Sequence, residues 1–241
     1  MSEHTNNNTD RSKHVYETEH FGRQSADVVV PLLLELRRGR VESVVDVGCG
    51  IGTWLASFAD HGVEDYRGLD GEHVPRDRLM IAEDRFTTCD LEAPIALGRR
   101  FDLCLSLEVA EHLHEAAADR FVGFLASLAD TVVFSAAIPG QTGQNHFNMQ
   151  WPDYWAAKFA HLDYACYDVI RPRIWGDDRV HWWYQQNMLV FMHASVDHDL
   201  TPCNPMPRVH LRQYLKVLQR LDEVIRSRRR TLWKRLKDLL S

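Results

Sequence analysis

The residues best suited to chemistry form the pattern E-x-x-E-H, made by Glu108, Glu111 and His112. Two carboxylates this close repel each other unless a counterion lies between them or one of them holds a proton. A divalent cation would neutralise them, and oxygen and imidazole ligands favour Mg²⁺ or Mn²⁺ over a thiolate site. Without a metal, a histidine is the expected general base because its pKa lies near neutrality. Either arrangement would help an acceptor hydroxyl to lose its proton.

A second pattern, D-x-G-x-G-x-G, runs from Asp46 through Gly48 and Gly50 to Gly52. It follows a short apolar run and precedes a segment with helical spacing, which predicts a turn from a buried strand into a helix. Glycines at such a turn permit positive φ and close approach of a ligand to the free amides of the helix. The spacing differs from the G-x-G-x-x-G of dinucleotide-binding folds. An acid before the glycines would repel a pyrophosphate but suits a cationic ligand.

This loop resembles motif I of the class I methyltransferases that depend on S-adenosylmethionine (SAM). Asp70 stands eighteen residues after Gly52, at the end of a predicted second strand, where nucleotide-binding folds place the carboxylate that holds a ribose. In the family pattern, Asp90 accepts from the adenine amino group and the next backbone amide meets the ring. The resemblance therefore implies SAM as cofactor, bound by Asp46, Gly48, Gly50, Gly52, Asp70, Gly71, Asp90, Leu91 and Leu107.

Both later acids also have ordinary structural alternatives. Asp70 precedes a glycine and would serve in a turn, and Asp90 suits the N-cap of a short helix that starts near Glu92. Their register with the glycine loop favours the cofactor roles.

The remaining segments fit the same family. Strands are predicted at residues 44–47, 65–71, 86–88, 101–107, 131–137, 164–170 and 187–193, and helices at 21–38, 53–59, 116–128 and 155–162. Pro31 lies inside the first helix and predicts a break or kink there. The resemblance implies an α/β fold: a Rossmann-like, seven-stranded, mostly parallel sheet with helices on both faces, closed by an antiparallel final pair of strands. Active sites of such sheets lie at the carboxyl ends of the strands, where the E-x-x-E-H pattern follows one strand.

The E-x-x-E-H run also resembles the metal-binding motif of the small-RNA 2′-O-methyltransferases and the ubiquinone-pathway O-methyltransferases. The RNA enzymes add a later histidine, and His146 is the candidate for it, although its spacing is shorter than the family pattern. The resemblance implies Glu108, Glu111, His112 and His146 as metal ligands, with His112 and His146 as catalytic residues. Many metal-free methyltransferases carry a similar run, in which the second acid caps or forms a salt bridge and the histidine packs or acts as base.

Aromatic side chains dominate the segment 141–186, which we interpret as including a substrate lid. They are Trp151, Trp155, Trp175, Trp182, Trp183 and Tyr184, and they alternate with Asn, Gln and His. This composition suits a sugar or a polyhydroxylated natural product, and the segment resembles bacterial methyltransferases of glycan and secondary-metabolite pathways. The structural alternative is that these rings form part of the core.

The predicted function is therefore SAM-dependent O-methylation of a sugar-bearing or polyhydroxylated small molecule. RNA 2′-O-methylation is the rival within the enzyme class, and a non-catalytic nucleotide-binding assembly module is the rival outside it. An NAD(P) oxidoreductase is disfavoured by the glycine spacing.

Charge divides the chain into two parts. Residues 208–241 carry eleven Lys/Arg against three Asp/Glu, a net charge of +8, which leaves −14 for the rest of a chain whose total is −6. The acidic body makes nucleic acid an unfavourable partner. Leu211, Leu218, Ile225, Leu232 and Leu239 recur at seven-residue spacing and predict a basic amphipathic helix. It is expected to pack on the parent domain or to form a homo-oligomer, with binding to an anionic membrane surface or to nucleic acid as the alternative.

These features divide the chain into an N-terminal segment with a lid helix (1–40), the methyltransferase domain (41–200), and a linker with the basic helix (201–241). Five cysteines without paired spacing predict free thiols in a reducing compartment. The polar opening has no signal-peptide pattern and no apolar run has the length of a membrane span, so we expect a cytoplasmic protein.

Overall fold

A computed structural model describes residues 22–37 and 41–240. The strands are β1 (Ser43–Val47), β2 (Asp65–Asp70), β3 (Phe86–Thr88), β4 (Leu103–Leu107), β5 (Thr131–Ser135), β6 (Tyr164–Tyr167) and β7 (Leu189–His193). The helices are α1 (Gln24–Leu36), α2 (Thr53–Asp60), α3 (Ala118–Leu128), α4 (Pro152–Ala160), α5 (Arg171–Ile174), α6 (Trp182–Asn187) and α7 (Leu211–Leu240). Short 3₁₀ turns lie at Arg76–Arg78, Glu83–Arg85, Ala110–His112 and Glu115–Ala117.

The strands form one sheet in the order β3-β2-β1-β4-β5-β7-β6. All neighbouring pairs from β3 to β5 are parallel, and β7 runs antiparallel to both β5 and β6. The predicted Rossmann-like, mostly parallel sheet of seven strands is therefore confirmed. Helices α5 and α6 lie in the connection between the final two strands, within the predicted lid segment.

Alternate residues of the central strands pack on opposite faces of the sheet. Val44 belongs to one buried cluster, whereas Val45 and Val47 belong to the other, and all three are fully buried. A strand covered on both faces needs apolar residues at successive positions, which explains the Val-rich run before the glycines. Because β1 and β4 are neighbours, the loops that follow them meet at one edge of the sheet.

No break occurs at Pro31, because α1 continues across it from Gln24 to Leu36, and the predicted alternative of a kink stays a prediction. Val29, Val30 and Leu33 are fully buried on this helix. Their burial offsets the backbone hydrogen bond that proline cannot donate. The predicted N-terminal segment up to residue 21 lies outside the described residues.

The linker predicted after residue 200 carries no helix or strand before α7 begins at Leu211. The first two turns of α7 contact the body, and its later described side chains are exposed. Beyond those turns the helix does not pack on the parent domain, and the other predicted alternative, packing on a second copy, stays a prediction. Within the described residues, no helix combines the length and the apolar character that crossing a membrane requires.

Candidate active site

The glycine loop connects β1 to α2 and has the backbone that its sequence predicts. Gly48, Gly50 and Gly52 have φ values of 82°, 54° and 84°, which lie in the left-handed region that favours glycine. A Cβ at Gly48 would stand 2.3 Å from the side chain of Val109, which follows β4. The glycine therefore lets the loop after β1 pack directly against the loop after β4.

Asp46 lies on β1 just before this loop and is 2% exposed. Its Oδ2 has no hydrogen-bond partner among the described residues. Burial, together with the nearby Asp70 carboxylate, raises the pKa of Asp46 to about 8. A buried carboxylate oxygen without a donor is the atom that a cationic ligand would stabilise.

Asp70 lies at the end of β2 and turns its carboxylate toward the glycine loop. It accepts hydrogen bonds from the backbone N–H of Gly50 at 2.7 Å and of Gly71 at 2.6 Å. The carboxylate thus lies beside the loop, as the predicted ribose role requires. Leu107 ends the neighbouring strand β4 and is buried.

Asp90 follows β3, and its side chain is exposed. Its carboxylate accepts from the backbone N–H of Glu92 at 2.9 Å, and its carbonyl accepts from Ala93 at 3.0 Å. The half-buried Leu91 lies within this turn. A turn rather than the alternative short helix therefore occupies the segment, and the adenine role of Asp90 stays a prediction.

Glu108 follows β4 with a φ of 56°, an uncommon conformation for a residue with a side chain. Its carboxylate accepts from the side-chain amides of Gln141 at 2.7 Å and of Asn187 at 3.0 Å. Burial raises the pKa of Glu108, while hydrogen bonds from Asn187, Ser135 and Gln141 act in the opposite direction. The side chain is thus directed into a set of amide donors.

Glu111, His112 and His146 form a cluster in which one ligand atom of each lies within 4.8 Å of the others. Glu111 is 1% exposed, and neither of its carboxylate oxygens has a hydrogen-bond partner among the described residues. Burial and the charge of Glu108 raise the pKa of Glu111 well above its usual value. Three of the four predicted metal ligands therefore meet, and the fourth, Glu108, accepts from its amides and lies close enough to Glu111 for the two carboxyl groups to interact.

The loop after β5 brings His146 to this cluster. Phe147 and Asn148 donate their backbone N–H groups to the carbonyl of Glu111, at 2.8 and 3.0 Å. The His112 and His146 rings meet edge to face with their centroids 4.9 Å apart. The short spacing of His146 thus does not prevent it from reaching His112.

A family model described as a methyltransferase domain matches residues 19–216. The chain is a class I SAM-dependent methyltransferase. Its fold is similar to that of a sugar N-methyltransferase from Streptoalloteichus sp ATCC 53650, which is 18% identical with a TM-score of 0.57, the match covering 80% of this chain and 98% of that chain. No curated protein matches it significantly.

Two further solved structures have a similar fold. An amino pentose methyltransferase of calicheamicin biosynthesis from Micromonospora echinaspora is 17% identical, with a TM-score of 0.54 over 75% of this chain and 97% of that chain. Magnesium protoporphyrin IX methyltransferase from Synechocystis PCC 6803, with bound SAM, is 20% identical, with a TM-score of 0.54 over 73% of this chain and 82% of that chain. At these identities the likeness concerns the fold alone.

The aromatic residues of the methyltransferase's predicted lid have different environments. Trp155 is 2% exposed and packs against Phe134 at 5.2 Å between ring centroids, so it belongs to the core. Trp182 is also buried, and Trp183 is half-buried. Trp151 and Trp175 are 40% and 42% exposed.

Tyr184 connects the lid segment to the cofactor side of the methyltransferase. Its ring meets that of Trp54 on α2 edge to face, with the centroids 5.2 Å apart. Burial and the charge of Glu108 raise the pKa of this tyrosine. Helix α6 is therefore fixed between the glycine loop's helix and the carboxylate of Glu108.

The amide network around Glu108 was not predicted as part of the site. Gln141 Oε1 accepts from the amides of Asn187 and Gln186, both at 3.0 Å, and Gln186 Oε1 accepts from the backbone N–H of His210 at 2.8 Å. The available signal was a run of three polar residues, Gln185 to Asn187, immediately before an apolar strand. The network connects Glu108 to the residue just before α7.

Proposed function

We propose that this methyltransferase transfers a methyl group to a hydroxyl oxygen of a sugar-bearing or polyhydroxylated small molecule. The observation that carries the proposal is the cluster of Glu111, His112 and His146 at the carboxyl end of β4. An amine acceptor needs only a free lone pair, whereas a hydroxyl must be deprotonated or acidified as it reacts. A buried carboxylate beside two imidazoles can accept a proton from a hydroxyl and pass it on.

The residues around the glycine loop fit SAM. Asp46 offers a buried, unpartnered oxygen to the cationic methionine end, Asp70 offers a carboxylate for the ribose hydroxyls, and Asp90 lies after β3 for the adenine. Bound SAM supplies a methyl group on a positively charged sulfur. The protein's task is alignment, which is worth on the order of 7–11 kcal/mol for well-oriented reactants.

A divalent cation would fit the cluster. One carboxylate and two imidazoles suit Mn²⁺ better than Mg²⁺, because Mg²⁺ favours oxygen ligands alone. Glu111 is buried without a hydrogen-bond donor, so a cation would displace its proton and compensate its charge. In the absence of a cation, either His112 or His146 would take the hydroxyl proton.

The surroundings support a polar, ring-shaped acceptor. The exposed ring of Trp151 offers an apolar face, and Gln150 with Asn148 offers amide groups in the same loop as His146. Two solved structures with a similar fold are described as a sugar N-methyltransferase and an amino pentose methyltransferase, which supports a sugar as the acceptor and leaves the acceptor atom to the cluster. RNA is the less favoured acceptor, because the body outside residues 208–241 carries a net charge of −14.

The test is transfer of labelled methyl from SAM to a panel of glycosides and amino sugars, with and without EDTA. We expect Glu111→Gln and His146→Ala to lower the rate of hydroxyl methylation about 10²- to 10⁴-fold. The matched control is His161→Ala, since this histidine is exposed and follows α4.

The EDTA arm distinguishes the two ways of activating the hydroxyl. Transfer that is lost in EDTA and restored by Mn²⁺ assigns a cation to the cluster. Transfer that is insensitive to EDTA assigns one of the two histidines as the base. Methylation of amines alone, at rates that neither substitution changes, would contradict the proposal.

A further inference from the structure

Helix α7 leaves the body of the protein after its first two turns. Gln213 is 2% exposed, Lys216 lies 5.2 Å from the centre of the Trp182 ring, and Arg212 forms an ion pair with Asp178 at 3.0 Å. All described side chains from position 218 onward are exposed. A helix of this length spans about 45 Å, so most of it projects into solvent.

The exposed part of α7 is strongly two-sided. At about 100° per residue, the apolar side chains between Leu211 and Ile225 cover about half of the helix circumference. Each apolar side chain of this face is 41–66% exposed: Leu211, Tyr214, Leu215, Val217, Leu218, Leu221, Val224, Ile225, Leu232 and Trp233. An apolar surface of this extent on one helix indicates a binding face.

Most basic residues of α7 lie on the opposite side, whereas Arg228, Arg229 and Arg235 fall within the apolar half. Between positions 212 and 234, six of the eight Lys and Arg residues lie within an arc of about 120° on the polar side: Arg212, Lys216, Arg220, Arg226, Arg230 and Lys234. Only three acids fall within residues 208–241, so the segment has a net charge of +8. The helix thus combines a broad apolar face with a cationic face.

We propose that α7 lies on an anionic membrane surface and holds the methyltransferase there. Low mean hydropathy, a broad apolar face with a tryptophan, and Lys and Arg on the other face are the features of a helix that lies in the interface plane. The positive charge complements anionic headgroups, and each basic residue near such a surface adds to binding. This inference does not depend on the acceptor proposed above.

A second copy of the chain is a poorer occupant of the same face. In the seven-residue pattern that starts at Leu211, Arg228 and Arg235 fall at the second core position. A parallel pair would bury them against their own copies, and two helices of this charge repel. At a membrane surface, by contrast, long arginine stems lie along the apolar region while their charged ends reach the headgroups.

The body does not block the apolar face. The helix contacts it through Arg212, Gln213 and Lys216, and Val217 at the edge of the apolar face lies near Gly140. Leu211, Leu215 and Leu218 remain exposed. The apolar face can therefore meet a flat surface while the domain stays in water.

The experiment is flotation of the full chain with vesicles of phosphatidylcholine, alone or with about 30% phosphatidylglycerol. The test variant is Leu218→Glu with Ile225→Glu, on the apolar face. The matched control is Gln219→Glu with Ser227→Glu, which makes the same change in formal charge on the polar face. Circular dichroism of each variant checks that the helix is retained.

We expect binding to anionic vesicles that weakens steeply with salt and falls about a hundredfold in the apolar-face variant, with a much smaller loss in the control. Failure of the wild-type chain to float at low salt would overturn the proposal. So would equal binding to neutral vesicles, or equal losses in both variants. A wild-type dimer that Leu218→Glu with Ile225→Glu converts to a monomer, without vesicle binding, would assign the face to a second copy. Retention by single-stranded RNA but not by vesicles would assign it to nucleic acid.

Discussion

Protonation of Asp46 should control the affinity for SAM. The pKa of this carboxyl is raised to about 8 by burial and by Asp70, so in the cofactor-free protein it is mostly protonated at neutral pH. A cationic ligand favours the ionised form, and binding below this pKa must therefore release a proton. It follows that affinity rises with pH up to about 8.

The size of the effect follows from the pKa. Between about pH 5.5 and pH 7, where the α-ammonium group of SAM stays largely charged, the ionised fraction of Asp46 rises about 30-fold. The Kd for SAM should fall by the same factor. At pH 7 about 0.9 proton should be released for each SAM bound.

Isothermal titration calorimetry measures both quantities when it is run in two buffers of different ionisation enthalpy. Asp46→Asn should weaken SAM binding by about 10- to 100-fold, the loss of one charge-assisted hydrogen bond, and should abolish the pH dependence. The control is Asp153→Asn, because Asp153 is exposed in the first turn of α4. A wild-type Kd that changes by less than a factor of about two across this window would refute the reasoning.

Asp46→Asn should weaken SAM binding but raise the stability of the cofactor-free protein. A carboxyl whose pKa is raised on folding from 3.8 to about 8 makes the folded state lose stability as pH rises between these values. The free energy of unfolding of the cofactor-free variant should therefore exceed that of the wild type by a few kcal/mol at about pH 8 and by much less at about pH 4. Urea unfolding at both pH values measures the difference.

Two further substitutions test the packing of the site. Gly48→Ala should lower the free energy of unfolding by about 2–4 kcal/mol, because the new Cβ would overlap the side chain of Val109 and the backbone there is left-handed. The control is Gly123→Ala in α3, where a Cβ meets open space, and it should raise the free energy of unfolding by about 0.4–1 kcal/mol. Gln141→Leu should lower the free energy of unfolding by about 1.5–3 kcal/mol, because it removes a hydrogen bond to Glu108. The control Gln144→Leu changes an exposed side chain and should have little effect, and urea unfolding measures both variants. An unchanged midpoint for Gly48→Ala or Gln141→Leu would contradict the packing described.

The cofactor side of the site could be predicted because its requirements are local. The glycine loop and Asp46 lie within seven consecutive residues, and a strand-to-helix turn allows few other backbones there. The lid could not be assigned in the same way. Tryptophan serves equally as core or as a binding face, and only its neighbours distinguish Trp155 from Trp151.

Long-range polar contacts were not predictable. Glu108 receives hydrogen bonds from Gln141 and Asn187, which are distant in sequence, and amide residues have no spacing rule that would reveal such a meeting. The position of α7 was equally hidden, because seven-residue spacing describes a two-sided helix without identifying what covers it. The absence of a break at Pro31 has another cause, since the packing of α1 outweighs its local propensity.

The chain of amides that ends at Glu108 has a fixed polarity. The backbone N–H of His210 can only donate, so Gln186 must present its oxygen to it and its nitrogen to Gln141. Gln141 must then direct its own nitrogen at Glu108, so residue 108 has to accept a hydrogen bond on that side. One peptide group beside the start of α7 thus orients the amides as far as the site. Because Asn187 donates to the other oxygen of Glu108, both oxygens at position 108 act as acceptors, which a carboxylate satisfies and its amide does not.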